Sequence, residues 1–187
     1  MTDMFPETKV DPTEDSNQRF TTPETLKWCM DTAGVSRIDE DVAACQEAHV
    51  APRWFGWHDY GFNEEGLIVE RKFFVDGLGV QWRGVCWLNP PWDNIEPWIQ
   101  KAWLEVTEPG RANVVLALLP QGRTHRPWWS KYVEPVRDGR GQSATTRLDV
   151  YFPPFRPHYG HPGNPRGIGV AEPNFGSVLL VFRRLTP

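Results

Sequence analysis

The chain has little cysteine, and the little it has forms no pattern. Cys29, Cys45 and Cys86 are odd in number and include no C-x-x-C pair, so neither a disulfide framework nor a zinc knuckle is expected. No apolar run approaches the roughly 20 residues a membrane helix needs. The acidic N-terminus lacks the basic-then-apolar order of a signal peptide. A reduced, cytoplasmic compartment is the expectation, with no membrane partner. P-loop, G-x-S-x-G and H-E-x-x-H strings are missing. His158 and His161 flank Tyr159-Gly160 without a neighbouring cysteine or carboxylate, so no metal is expected.

What the chain does have is tryptophan, ten in 187 residues. So many large rings mean a flat-faced core, a stacking surface, or both. The charge is also uneven. Net charge is −4, yet from Gly110 onward there are 11 basic residues against 4 acidic. A chain polarised in this way can offer one basic face to a polyanion while staying acidic overall.

Residues 1–19 are acidic and aperiodic and read as a flexible tail. A helix is expected from Thr22-Pro23, where Thr22 can cap and Pro23 suits the first helical position. Gly34 ends it. Val35 to Ile38 is a short strand candidate, followed by Asp41-Val42-Ala43-Ala44. Residues 56–71 look irregular. Val85 to Leu88 reads as a buried strand that Asn89-Pro90-Pro91-Trp92 must end, because proline cannot extend a ladder. A helix carrying Ile95, Trp98, Ile99, Ala102, Trp103 and Val106 on one face follows. Asn113 to Leu119 is a strand covered on both faces. Arg147–Phe152 and Ser177–Phe182 are further strands, and 153–176, with six prolines and five glycines, is a long loop. Strands alternating with helices indicate an α/β domain with a largely parallel sheet.

The most informative stretch is strand, Asn89-Pro90-Pro91-Trp92, helix. Ligands in open α/β sheets bind beyond the carboxyl ends of strands, which is where this tetrapeptide falls. The Asn89 side-chain carbonyl and the Pro90 backbone carbonyl can both accept from one planar NH2 group. Neither proline has an N–H to donate, and Trp92 offers a flat face. A proline bend capped by an asparagine is the plainer alternative.

The tetrapeptide resembles the N-P-P-aromatic motif of S-adenosylmethionine-dependent methyltransferases that act on amino groups. The string FVDGLGVQWRGVCWLNPPWDNIEPWIQKAW resembles the phage-encoded DNA N6-adenine methyltransferases, the Dam-like family. Thr22-Pro23, Asp41-Val42-Ala43-Ala44, Asp76-Gly77-Leu78 with Trp82, and Asn89-Pro90-Pro91-Trp92 occur in that family's order. The resemblance covers about residues 20–184.

It implies a single Rossmann-like class I methyltransferase domain over 20–187, with a mostly parallel, reduced sheet. The implied activity is DNA methylation at adenine N6, in the cytoplasm of a bacterial host. The implied cofactor is S-adenosylmethionine, and the implied partner is double-stranded DNA with one base flipped out, since N6 cannot meet a sulfonium inside the duplex. Thr22 and Pro23 would line the cofactor's methionine end. Asp41, with Ala43 beside it, would serve as the acidic residue after the first strand. Asp76 would accept from the cofactor's adenine amine. Asn89 and Pro90, followed by Pro91, would hold the target amine, and Trp92 would stack on the flipped base. Thr22 and Asp41 also read as helix caps, and Asp76 as a turn residue. No glycine follows Asp41, where methyltransferases of this fold usually carry several.

The basic segment 121–147 supplies the expected DNA contacts: Arg123, Arg126, Lys131 and Arg147 on phosphates, and Trp128 or Trp129 in the stack. The alternative is that the tryptophans pack on the sheet. With 153–176, this segment is expected to face DNA. Two other functions share the motif: methyl transfer to another planar amine (guanine N2 in RNA, cytosine N4, a glutamine side chain), and nucleic-acid binding without catalysis.

Overall fold

The computed structural model describes residues 20–63, 65, 67–141, 143–161, 164 and 175–185. The expected tail and most of the second half of the 153–176 loop lie outside them. The elements run β1 (Phe20–Thr21), α1 (Pro23–Ala33), β2 (Glu40–Cys45), β3 (Arg53–Phe62), β4 (Ile68–Phe74), β5 (Gly84–Leu88), α2 (Glu96–Thr107), β6 (Ala112–Pro120), α3 (Pro127–Tyr132), β7 (Thr146–Tyr151), β8 (Tyr159–Gly160) and β9 (Ser177–Arg184).

Seven strands form one mixed sheet in the order β4-β3-β2-β5-β6-β9-β7. β2 is parallel to both β3 and β5, and β5 to β6. β4 is antiparallel to β3, and β9 is antiparallel to its neighbours β6 and β7. Five strands therefore run one way, and β4 and β9 the other. β1 and β8 form a separate two-stranded antiparallel sheet.

The side-chain alternation of the central strands builds the layers. Cys86, Leu88, Val115, Ala117, Leu119, Leu180 and Phe182 face α2 and α3, packing with Ile95, Ile99, Ala102, Val106 and Val133. Trp87, Leu116, Leu118, Leu179 and Val181 face the other way, toward Cys29 and Ala33 of α1 and toward Tyr159. β6 is buried on both faces, which is why it reads as an unbroken apolar run. Each fully buried side chain of this size contributes about 1.5–3 kcal/mol.

α1 starts at Pro23 and ends at Gly34, which takes the left-handed conformation (φ 64°) and donates its N–H back to the helix. Thr22 stands at the cap position, but its side chain makes no capping bond; its hydroxyl donates to Thr25 Oγ1 at 3.0 Å.

Two expectations change. Val35–Ile38 is not a strand; the first long strand is β2, and it contains Asp41 rather than preceding it. Residues 56–71 are not irregular: most of them belong to the β3–β4 hairpin. Alternating aromatic and β-branched residues outweigh the acidic character of that stretch. Among the described residues no helix separates β2 from β3 or β3 from β4, so helices cover the sheet less fully than the alternating pattern implies.

Candidate active site

A cavity of about 590 Å³ opens at the carboxyl ends of β2 and β5, beside the first half of β3. Its position follows from the register. β2 and β5 pair only at Glu40↔Cys86 and Asp41↔Trp87, so the rest of β2 has no ladder to β5. Between Asp41 and Ala44, β2 also slips against β3 by a bulge. Bulges re-aim side chains and end pairing next to functional sites. The cavity is walled by Asp41 to Cys45 on one side and by Asn89-Pro90-Pro91 on the other.

The strand order makes this a switch point. From β2 the chain steps outward to β3 and β4, then returns to β5 on the opposite side. Such reversals leave a crevice between strands whose connections run in opposite directions.

The close approaches come from outside β2. A Cβ on Gly77 would fall 1.9 Å from the Val42 carbonyl oxygen, and one on Gly56 would fall 1.8 Å from that of Ala44. Backbone here lies directly on backbone, which only glycine permits. The glycines missing after Asp41 thus have counterparts on β3 and on the loop before β5.

That loop is the D-G-L…W string. The Gly77 carbonyl accepts from Trp82 Nε1 at 2.7 Å, and Trp82 is fully buried. Asp76 is exposed and its Oδ1 accepts from the Leu78 N–H at 2.9 Å, the geometry of a turn-forming aspartate. Val75 and Gly77 on either side of it line the cavity.

Asp41 is buried, and its two carboxylate oxygens accept from Val50 N–H at 3.1 Å and Ala43 N–H at 3.4 Å. Burial pushes its carboxyl up to about 7, against the pull of those two bonds. Carboxyls perturbed by burial in a cavity wall are concentrated at functional sites, though structural networks perturb them too.

Asn89 follows β5 and donates from Nδ2 to Thr21 Oγ1 at 3.3 Å. Thr21 is placed there by β1, paired to β8 through Thr21↔Tyr159. Phe20, Thr21, Pro23 and Leu26 reach the cavity. Thr22 does not; its side chain turns into α1, which corrects its expected lining role. Leu26, Val50, Phe55, Trp57, Phe74 and Trp98 complete an apolar lining absent from the expected set. The aromatic ones on β3 and β4 carried a strand signal, alternating bulky residues, that the acids of that segment obscured.

Trp92 belongs to a different hollow. It is half-buried and stands nearly perpendicular to Tyr159 and Phe175, at centroid distances of 5.3 and 5.2 Å. It borders a smaller cleft of about 230 Å³ with Arg123, Arg126 and Trp128. The tetrapeptide is therefore a partition, with Asn89-Pro90-Pro91 on the large cavity and Trp92 on the cleft.

The basic segment divides sharply. Trp128 and Trp129 are 5% and 8% exposed and pack in the core under α3, with Trp129 Nε1 donating to Glu134 at 3.1 Å. Both are core residues, which corrects their expected stacking role. Arg147 lies opposite Arg183 of β9, which lies opposite Val114 near the start of β6. That is the sheet edge away from Asn89, and the guanidinium is held by Asp149 at 2.7 Å. Arg147 is thus misplaced for the expected contact. Lys131 pairs with Glu96 at 3.7 Å. Arg123 and Arg126 alone of the expected set emerge on the Asn89 edge without an ion pair among the described residues.

Part of the 153–176 loop is likewise structural. Tyr159 is buried, with its hydroxyl 2.6 Å from Ser177 Oγ. Among the described residues no cluster of His, Cys, Asp and Glu could hold a metal, and no helix is long and apolar enough to cross a membrane. Comparison with known protein families, curated proteins and solved structures finds no match to this chain.

Proposed function

We propose that this chain is a methyltransferase that moves a methyl group from S-adenosylmethionine to the exocyclic N6 amine of a flipped adenine in DNA. The observation that carries the reading is the meeting of Asp41 and Asn89-Pro90-Pro91 on one cavity at a strand-order switch. Counted from β2, the run β4-β3-β2-β5-β6 is third, second, first, fourth, fifth, the order of Rossmann-type sheets. The reversed β4 and the interposed β9 depart from an all-parallel sheet.

The cavity fits the cofactor on three counts. Its volume lies within the range of small-molecule sites, roughly 300–1,000 Å³. Phe55, Trp57, Phe74 and Trp98 give it aromatic walls for a flat ring. Asp41 supplies a buried acceptor for hydroxyl or ammonium donors; Asp76 lies outside the lining, between Val75 and Gly77 at the cavity's rim, where its Oδ2 would meet an adenine amine. When bound, the cofactor supplies an electrophilic methyl carbon on a sulfonium.

Two acceptors would then act on the target amine. The Asn89 amide is anchored through Nδ2 to Thr21, so Oδ1 is its acceptor atom. The Pro90 carbonyl is the second. With both N6 hydrogens held, the nitrogen lone pair is directed at the methyl carbon. With the cofactor bound, an N–C bond would form as its S–C bond breaks, and the amine's surplus proton would leave to water. No covalent enzyme intermediate is required.

The test is incubation of plasmid DNA with isotopically labelled S-adenosylmethionine, followed by mass spectrometry of the nucleosides. Labelled N6-methyldeoxyadenosine is expected, abolished in Asn89→Ala while calorimetric cofactor binding persists. Label on cytosine N4, on guanine N2 of added RNA or on protein glutamine would transfer the reading to that amine. DNA binding without cofactor binding would make the chain a binding module instead.

A further inference from the structure

We infer that the cleft beside Trp92 is a backbone subsite that holds a phosphodiester flanking the flipped nucleotide, through Arg123 and Arg126. This rests on the proposed function and narrows it, from a chain with a diffuse basic segment to one with two phosphate contacts located in one cleft.

The first observation is a sorting of charge. Between residues 123 and 147 most cations are already neutralised within the protein. Arg137 binds Glu134 at 2.9 Å and Asp138 at 2.8 Å. Arg140 binds Glu134 at 2.9 Å, and Arg147 binds Asp149 at 2.7 Å. Lys131 is drawn to Glu96. Among the described residues Arg123 and Arg126 make no ion pair, and both line the same cleft; of the two carboxylates that also line it, Asp93 and Glu96, Glu96 is taken by Lys131. A guanidinium with its donors unspent is what a phosphate oxygen takes.

The second observation is position. Arg123 closes the 3-10 turn (Gln121–Arg123) that follows β6 directly, so it emerges from the strand next to β5 on the same sheet edge as Asn89. The cleft and the cavity share the tetrapeptide as their common wall. A nucleotide whose amine lies between Asn89 and Pro90 has its sugar-phosphate leaving past this wall.

The subsite contacts backbone, so it positions the strand without reading sequence. It also predicts which cations do not matter. Arg147, on the opposite edge, contributes nothing to DNA affinity.

The experiment is fluorescence anisotropy of a short fluorescein-labelled duplex bound to the full chain, titrated over a series of salt concentrations. It is run on wild type, Arg123→Gln, Arg126→Gln and Arg147→Gln, with nucleoside methylation measured in parallel. Each phosphate contact removed lowers the slope of log K against log salt by about one. That loss is expected for Arg123→Gln and for Arg126→Gln, with cofactor binding unchanged and with the Arg147→Gln slope equal to wild type. Unchanged slopes in the two cleft variants, with DNA still methylated, overturn the subsite and leave the methyltransferase standing. A slope lost equally in Arg147→Gln also overturns it, because the contact is then diffuse. No duplex binding and no methylated adenine overturn both.

Discussion

Thr21 and Asn89 are joined by a side-chain hydrogen bond across 68 positions of sequence, Nδ2 donating to Oγ1 at 3.3 Å. The bond links the first described strand to the end of β5, and it fixes the side chain the proposed chemistry depends on. Thr21→Val keeps the shape and removes the acceptor. One net hydrogen bond is about 0.5–1.5 kcal/mol, so kcat is expected to fall about two- to tenfold, with the cofactor Kd unchanged. Thr21→Ser should restore most of the rate. A loss in cofactor affinity with intact kcat would place Thr21 in the cavity wall only.

Asp41 predicts a pH dependence whose sign is fixed. Its carboxyl is raised from 3.8 to about 7 by burial, so the folded state holds the proton more tightly than the unfolded chain. The folded protein has its full stability from this group below about pH 4. That stability is lost as pH rises toward 7, by up to about 4 kcal/mol. Urea unfolding between pH 4 and 8 should show the decline, and Asp41→Asn should flatten it. A ligand that donates to the carboxylate favours the ionised form. S-adenosylmethionine should therefore bind more tightly as pH rises through 7, with proton release measurable by calorimetry in buffers of different ionisation enthalpy.

How much of this was legible in the residues depends on the range of the interactions involved. β5, the Asn89-Pro90-Pro91 stop, α2 and β6 form a continuous local unit, and each boundary has a local cause: proline ends the strand and hydrophobic spacing sets the helix. The cavity walls on β3 and β4 were hidden, because the charged residues interspersed in that stretch of sequence dilute the apolar signal. Thr21 was hidden for another reason. Its role needs β1 to pair with β8, a contact between the two ends of the chain that no local pattern encodes. Trp128 and Trp129 misled because composition weighs a tryptophan without its burial, and Arg147 because a charge count ignores Asp149 two residues away.

Glu105 predicts a large stability effect away from the site. It is fully buried and accepts from Lys101 at 2.7 Å, Arg111 at 3.0 Å and the Trp82 backbone N–H at 3.1 Å. Removing one member of such a cluster strands the rest, at a cost of about 3–5 kcal/mol. Glu105→Ala should lower Tm by roughly 10 °C. Adding Lys101→Met to Glu105→Leu should recover part of the loss, since it removes the stranded ammonium. A Tm within a degree of wild type in Glu105→Ala would show that the cluster contributes no net stability.

Gly77 joins fold and site most directly. Alanine there would bring Cβ to 1.9 Å from the Val42 carbonyl oxygen and 3.2 Å from the Trp98 ring, so the loop must lift from β2. Both neighbours wall the cavity, and the lift deforms the surface on which a cofactor ring would rest. Overpacking of this kind costs about 1–3 kcal/mol. Gly77→Ala is expected to lower Tm and also weaken cofactor binding by at least tenfold. Gly79→Ala is the control: its Cβ would meet its nearest neighbour at 3.5 Å, an ordinary contact, two residues along the same loop. Calorimetric titration and thermal melts of the two variants separate the outcomes. If both lose affinity alike, the loop matters through its flexibility. If only Gly77→Ala does, the close approach to Val42 shapes the site, and the glycine freedom expected after Asp41 has been supplied from across the cavity.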